Sequence, residues 1–482
     1  MSHGSAAELL ARRLRGALDD HGGDEPARAG HLPEAVSPNQ ERLWFLHQLH
    51  PDATGYNTAD TCYRIRGRLD VDRLRRALHE VLRRHRILLS HYPERDGRPT
   101  VAHHRPEAVD LVVTDGGDPQ ALAAEPFDLA TGPLLRAYLL RQAPDEHLLL
   151  LVVHHIVFDG GSIAILERDL GAAYEGSALA PLPLPYARYA GLRRHRRADP
   201  GYWVSALAGA PATLELPTDR PRTATPVQRG RVVEFSIPTG AATAVRRHAR
   251  QHHATPFMAA LALFQSMLAR YAGGTEVVSG VPSSERTHPE LREVIGFFVN
   301  TLPIRTRPAD QALGPPRDPG RNPLVQTWFE LDRHTAGARL AGLQVERVPL
   351  RSPATNFDVA LRLSELADGS LAGELVYAED LFDHATMRDF ADRYRRLFAA
   401  AAAAPDHRLD ALWGTAVEDS AEVLRRWNDT DAPTEATSVP ELFERQVRAT
   451  PTATAIVDGE RLVTFAEVDA SANRLAHALR DD

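Results

Sequence analysis

Hydrophobic and polar positions switch between two periods along this chain. Between Val71 and Arg84, Leu74, Leu78, Val81 and Leu82 recur at three- and four-residue spacing, which predicts an amphipathic helix. Leu134–Arg141 and His147–Val153 are short, bounded apolar runs that predict strands, and Ile163–Tyr174 returns to helical spacing. The same alternation recurs further on. A strand is predicted at Val232–Ile237, helices at Thr239–His253 and Pro256–Tyr271, short strands at Val277–Gly280 and Leu371–Tyr377, and a closing helix at Met387–Ala404. The pattern is that of an α/β chain with mixed sheets, in two halves of similar size at 31–200 and 201–415. An amphipathic helix at Ala7–Leu18 and a Gly/Asp-rich patch at Asp19–Gly30 form an N-terminal extension, 1–30. After Asp419 a helix carrying Trp427-Asn428-Asp429 runs into a Pro/Thr linker within 416–437. Residues 438–482 then start another domain: a helix, a hairpin-like run at Ala455–Val463 and a helix ending at Arg480, too short to bury a core of its own.

Composition narrows this picture only a little. With 482 residues the chain exceeds one ordinary core, and 43% hydrophobic and 25% charged residues are ordinary for a soluble globular protein. A net charge of −8 argues against nucleic acid as a partner. All 56 basic residues are arginines, so chemistry that needs a lysine, a Walker-type phosphate loop included, is excluded. The single Cys62 allows no internal disulfide and reads as a small buried residue of the strand-like Thr61–Ile65. No apolar run is long enough to span a bilayer and no signal-peptide core is present, so the expectation is a cytoplasmic protein without membrane contact.

The densest chemistry follows the run Leu148–Val153: His154-His155-Ile156-Val157-Phe158-Asp159-Gly160-Gly161-Ser162. Side chains alternate across a strand, so His154 and His155 face opposite ways. Asp159 and Gly160 mark a turn. Three readings stay open on these residues alone: two satisfied core histidines; a metal site using His155 and Asp159, four apart, although no Cys/His cluster with zinc spacing accompanies them; or acid–base and positioning chemistry at a cavity. The pairs His103-His104 and His252-His253 lie in polar surroundings and read as surface residues, and Trp44-Phe45 as the apolar core face of a helix.

Several ordered motifs together resemble the condensation domain of nonribosomal peptide synthetases over about 31–415. They are Ser37–Leu49 followed by Gly55-Tyr56-Asn57, Arg84-His85, His154–Gly160, Tyr186-Ala187-Arg188-Tyr189, Ile295–Leu302, Arg317–Leu324 and the inter-half segment Leu216–Pro221. The first and fifth look most like the subtype that couples two L-configured building blocks. Leu424–Asn428 and Leu462–Glu467 resemble the start of an adenylation domain, of which only the beginning is present.

The resemblance implies a fold of two chloramphenicol-acetyltransferase-like halves in a V-shaped pseudo-dimer with a central tunnel. It implies peptide-bond formation between a donor aminoacyl or peptidyl thioester and an acceptor aminoacyl thioester. Each is held on the phosphopantetheine arm of a peptidyl carrier protein, with no cofactor or metal bound by the domain itself. His155 would position or deprotonate the acceptor amine, with both roles open. His154, Asp159 and Gly160 complete the catalytic set, Gly160 through its backbone N–H. Arg286, in Gly280–Arg286, would pair with Asp159, and Asn300 would fix a turn at the tunnel floor. Arg321 and Asn322 would be structural. The partners implied are donor and acceptor carriers and an adjoining adenylation domain, around a monomeric module of a larger synthetase. Two alternatives share the signature: an acyltransferase using a free alcohol or amine, and a silent module that recruits a partner.

The chain departs from the family pattern in places. Arg307–Pro316 stands where the family carries a helix and a further motif, so a segment is deleted there. Leu88-Leu89-Ser90-His91-Tyr92 lacks the arginine usual in the second motif. Gly161 replaces a common tryptophan, which would widen the acceptor side, and Arg188 and Leu192 replace an acid and a tryptophan.

Overall fold

The computed structural model describes residues 34–49, 51, 54–58, 61–195, 201–211, 213–223, 229–274, 276–306, 325–333, 337–350, 355–416 and 438–480. The expected N-terminal helix and its linker, the stretch 307–324 with Arg321 and Asn322, and 417–437 with Trp427 lie outside the described residues. The chain divides into two compact units, Met1–Ala416 and Val417–Asp482.

The first unit is α/β, with two mixed sheets. In its N-terminal half, helix α1 (Pro38–Leu49) precedes strands β1 (Asn57–Thr58) and β2 (Cys62–Arg66), helix α2 (Val71–Arg84), and strands β3 (Leu111–Asp115), β4 (Leu135–Ala143) and β5 (Glu146–His154). Helix α3 (Gly160–Tyr174) and helix α4 (Tyr186–His195) follow. The C-terminal half contains β6 (Gly230–Ile237), α5 (Thr239–Gln251), α6 (Pro256–Ala272), β7 (Val277–Ser284), β8 (Val299–Thr306), β9 (Thr327–Arg333), β10 (Gln344–Arg347), β11 (Val359–Glu365), β12 (Leu371–Ala378), α7 (His384–Ala403) and α8 (Leu409–Ala416). Among the described residues the first sheet runs β10-β2-β5-β4-β3, with β1 also on β5, and the second runs β6-β12-β11-β9-β7-β8.

Local chemistry accounts for the elements. Asp70 caps α2 by accepting from the Arg73 amide at 2.9 Å, and the helix buries Leu74, Ala77, Leu78, Val81 and Leu82 on one face. Strand β5 is buried from His147 to His154 because both of its neighbours and both faces of the sheet are covered, so it reads as a continuous apolar run. Thr255 caps α6, and Pro256 at its first turn costs no hydrogen bond. Cys62 is fully buried and its thiol is pushed up to about 11, chiefly by burial, so it is packing rather than a nucleophile.

The two halves exchange material across the expected division. Strand β10, from the C-terminal half, completes the first sheet by pairing antiparallel with β2, Val345 opposite Ile65. Leu291, Val294, Ile295, Phe297 and Phe298 lie in the N-terminal core rather than their own. Arg347 from β10 also bonds Glu167 on α3, and the Tyr63 hydroxyl donates to the same carboxylate at 2.9 Å. The edge of β2 is thus paired by a strand nearly three hundred residues away in sequence, which makes the short β10 the edge of the sheet.

The second unit consists of α9 (Val439–Ala449), the antiparallel pair β13 (Thr454–Asp458) and β14 (Arg461–Thr464), and α10 (Phe465–Arg480). A capping box between Ser438 and Glu441 starts α9. None of its described residues is fully buried, and Val439, Val457 and Leu479 stand exposed. Among the described residues no helix is long and apolar enough to cross a membrane.

Candidate active site

The end of β5 passes straight into a single 3-10 turn, His155–Val157, and then into α3. The expected turn at Asp159-Gly160 is in fact the start of the helix. Asp159 is its N-cap, accepting from the Ser162 amide at 3.0 Å, and Gly160 is its first residue. An aspartate before two glycines and a serine satisfies a free helix donor better than it closes a loop.

The two histidines take different environments. His154 is buried, and its Nδ1 accepts from the Ile156 amide at 3.1 Å. Burial first, then the neighbouring His47 and His155, push its basicity well below the usual imidazole range, so the ring is neutral with its proton on Nε2. That Nε2 makes no hydrogen bond among the described residues and faces the rings of Phe127, His47 and Tyr56 at centroid distances of 5.9, 6.0 and 6.3 Å.

His155 is half-buried. Its backbone N–H donates to Tyr56 O at 2.8 Å, and Phe297 packs edge-on at 5.6 Å. Its Nδ1 lies 2.7 Å from the Phe158 carbonyl oxygen. A carbonyl only accepts, so Nδ1 carries the hydrogen and the lone pair of the neutral ring sits on Nε2. That Nε2 makes no hydrogen bond among the described residues. Beside it, Gly160 is exposed at the α3 N-terminus, and no atom lies within 4 Å of the place where a β-carbon would be. Its N–H belongs to the unsatisfied first turn of the helix, the electropositive end.

Asp159 turns away from His155 and into the protein, where it is fully buried. Arg286, just beyond β7, reaches it with Nη1 at 2.7 Å. The Phe298 amide donates to the same oxygen at 3.0 Å, and the Ser162 hydroxyl donates to the other at 2.8 Å. Ser162 Oγ accepts in turn from Arg286 Nη2 at 2.7 Å and from the Gly296 amide at 3.1 Å, while the guanidinium stacks over the Phe298 ring at 4.2 Å. The structure therefore brings Asp159 and Arg286 together as a buried ion pair joining α3 to the segment beyond β7.

Gly161 is exposed and also borders this cluster. A β-carbon there would lie 2.7 Å from Arg286 Nη1, so the space of the absent side chain is filled by the guanidinium. Asn300 sits inside β8 opposite Ser283, with Oδ1 accepting from the Thr301 amide at 2.9 Å; it is a strand residue and not the turn residue expected. Its neighbours Thr301 and Leu302 pair with Pro282 and Val281 in the same ladder.

Residues that the sequence reading named only within motifs, without a role, hold the turn after β5. Gln40 is fully buried; its Nε2 lies 2.9 Å from the Ile156 carbonyl and 2.6 Å from the Tyr92 hydroxyl. It also forms a capping box with Ser37, Ser37 N to Gln40 Oε1 at 3.0 Å and Gln40 N to Ser37 Oγ at 3.2 Å. The Ser-Pro-Asn-Gln spacing is a legible signal for that box. Tyr186 donates to Phe297 O at 2.8 Å and packs so closely on Gly296 that a β-carbon there would fall 2.1 Å from its ring. Tyr189 bonds Glu285, which Arg193 also meets at 2.6 Å. Arg84 bonds Asp169 on α3 and, at 3.0 Å, Glu293; His85 Nε2 lies 2.7 Å from Asp169 and its Nδ1 accepts from Ile295 N at 3.4 Å. Burial outweighs Asp169 and holds His85 below the usual imidazole range. Burial opposes the Asp169 charge too, but His85, Arg168 and Arg84 together hold that carboxyl below the usual carboxylate range.

Two expectations about side groups change. Trp44 is buried, but Phe45 is 56% exposed, because consecutive helix positions point about 100° apart. His103 and His104 are half-buried and engaged: His103 bonds Glu34 at 2.6 Å and Ser90 at 3.0 Å, and His104 meets Thr131 O at 2.8 Å.

Residues 33–313 and 311–424 match the model of the condensation domain. The chain belongs to the condensation-domain family. It is 34% identical to a linear gramicidin synthase of Brevibacillus parabrevis, over 99% of this chain and 10% of that protein. It is 32% identical to phosphinothricin tripeptide synthetase PhsC of Streptomyces viridochromogenes, over 93% of this chain and 46% of that one. The chain thus spans a tenth of the gramicidin relative and less than half of the other. Among solved structures it superposes with a TM-score of 0.70 on the X-domain in its complex with OxyB from teicoplanin biosynthesis, at 27% identity over 81% of this chain and 98% of that one. It superposes with a TM-score of 0.80 on holo-AB3403, a four-domain nonribosomal peptide synthetase, at 19% identity over 94% of this chain and 40% of that one.

Proposed function

We propose that this condensation domain forms a peptide bond between a donor acyl thioester and the α-amine of an acceptor aminoacyl thioester. Each would arrive on the phosphopantetheine arm of a carrier protein. The reading rests on one observation above all: the Phe158 carbonyl fixes the His155 tautomer, so a lone pair on Nε2 is presented at a half-open position close in the chain to the exposed Gly160.

The chemistry then needs little from the protein. The acceptor nitrogen attacks the donor carbonyl carbon, forming the C–N bond and a tetrahedral intermediate. His155 Nε2 holds the amine on line and takes the proton that the nitrogen sheds as it gains a bond. The N–H of Gly160 faces the developing oxyanion. The C–S bond breaks, and the donor arm leaves as a thiolate that takes up a proton. His154, neutral and buried, shapes the turn beneath His155. Asp159, Arg286 and Asn300 act at a distance: the first two lock α3 to the segment at 294–298, and Asn300 braces the strand that follows it.

The match to the gramicidin synthase extends over 99% of the chain, whereas the isolated X-domain match stops at 81%. This supports reading 438–482 as the beginning of an adenylation domain, the partner that follows in a larger synthetase. A second reading, a silent module that recruits a partner, draws on the X-domain likeness and on the family match breaking in two at 311–313, within the stretch read as deleted.

Incubation with donor and acceptor carriers, each loaded with an aminoacyl thioester, tests both. Dipeptidyl thioester on the acceptor carrier, read by intact mass, supports peptide-bond formation. Product formed only with a free amine or alcohol moves the assignment to the related acyltransferase. Carrier binding without product from any of several pairs supports the silent module.

A further inference from the structure

Helix α5 ends in a pair of histidines far along the chain from the acyl-transfer site. His248 and His252 are four residues apart, so they share a face of the last turn, with ring centroids 4.4 Å apart. Helix α7 packs on α5, and the turn between α7 and α8 carries Asp406 to the same place. One ligand atom from each of the three residues lies within 4.8 Å of the others. His252 and Asp406 are exposed and His248 is half-buried.

We propose that His248, His252 and Asp406 form a binding site for a divalent transition metal ion of the Zn2+ type on the C-terminal half. Two imidazoles and one carboxylate are the donor set of borderline cations, whereas Mg2+ and Ca2+ seek oxygen cages. Tetrahedral bonds of about 2.0–2.1 Å put ligand atoms about 3.4 Å apart. The spacing present needs only about 1 Å of inward movement by side chains that reach solvent. The fourth position is open to water.

Charge points the same way. Several acids of this half meet arginine, as Asp358 does with Arg222 and Glu276 with Arg305, each at 2.6 Å. Asp406 has no ion-pair partner among the described residues and faces two imidazoles instead. The C-terminal end of α5 adds a partial negative charge that also favours a cation. An ion there ties the end of α5 to the α7–α8 turn and stabilises the half by mass action. Sequence spacing alone shows only the histidine pair; the carboxylate arrives through tertiary packing from more than 150 residues away.

The test uses the whole chain without an affinity tag, stripped with chelator and titrated with ZnCl2 by calorimetry, with Tm followed in parallel. One ion per chain and a rise in Tm are expected, with no rise from MgCl2. His252→Ala and Asp406→Asn each weaken binding about tenfold or more and remove the Tm rise, since even outer-shell losses cost metal sites about 10–100-fold. His407→Ala, an exposed neighbour outside the trio, retains the affinity. Circular dichroism identical to the parent shows that each variant is folded. The proposal is overturned if no single-ion binding is seen, if folded His252→Ala binds as the parent does, or if His407→Ala loses binding equally.

Discussion

Replacing Arg286 with alanine removes the guanidinium that faces a fully buried carboxylate. The side chains of Arg286 and Asp159 are 10% and 0% exposed, so solvent does not screen the pair. Losing one partner of such a pair costs about 3–5 kcal/mol, because the other charge stays buried and unpaired. Asp159 keeps three donors, the Ser162 amide and hydroxyl and the Phe298 amide, which places the expected loss near the lower end, about 3 kcal/mol. Urea unfolding followed by tryptophan fluorescence reads it as a fall in midpoint at unchanged slope. The double variant Asp159→Asn with Arg286→Met removes both charges together and is expected to recover most of the loss. A fall of less than about 1 kcal/mol in Arg286→Ala, the range of an exposed pair, or no recovery in the double variant, would refute the buried-lock reasoning.

Three further outcomes follow from the same geometry. His154 and His85 both have folded pKa values below the ordinary 6.5, so the unfolded chain takes up protons first as pH falls. The stability is complete above about pH 6.5 and declines below it by up to about 1.4 kcal/mol per pH unit and group; urea midpoints from pH 7.5 to 5 show this, and His154→Phe flattens the slope. Gln40→Leu strands the Ile156 carbonyl and the Tyr92 hydroxyl and is expected to cost about 1–3 kcal/mol with a slower chemical step at unchanged carrier affinity; an unchanged single-turnover rate would show that Gln40 does not position the catalytic turn. Gly161→Ala pushes a β-carbon against Arg286 Nη1 and is expected to cost about 1–3 kcal/mol, whereas Gly160→Ala, with open space around it, leaves the urea midpoint nearly unchanged.

Much of the fold was legible because local signals agreed with the final packing. The Asp70 cap and the apolar face of α2 fixed its limits at Val71 and Arg84, the same as read from spacing. The apolar run at 148–153 and the helix behind it stood out for the same reason. What was not legible depended on distant partners. Strand β10 has four residues and gains its place only by covering the edge of β2, which no local pattern records. Residues 291–298 pack in the other half's core, although their sequence neighbours belong to the C-terminal sheet. Asn300 suggested a turn by residue type, but cross-strand pairing overrode that preference. At the candidate site, the meeting of Asp159 with Arg286 was implied by family likeness and not by spacing. The tautomer of His155 needed the Phe158 carbonyl, which only the 3-10 turn brings to Nδ1. The metal-binding trio was half visible, as two histidines four apart, and lacked its carboxylate until α7 was packed on α5.

The central claim is that Nε2 of His155 serves amide formation. Single-turnover transfer between loaded carriers, comparing the parent with His155→Ala, tests it most directly. The account predicts dipeptidyl product on the acceptor carrier with the parent. His155→Ala would lower the rate about 10²-fold or more, consistent with lost proton transfer and positioning, while keeping the parent's urea midpoint within about 1 kcal/mol. Equal rates in the folded variant and the parent would contradict it.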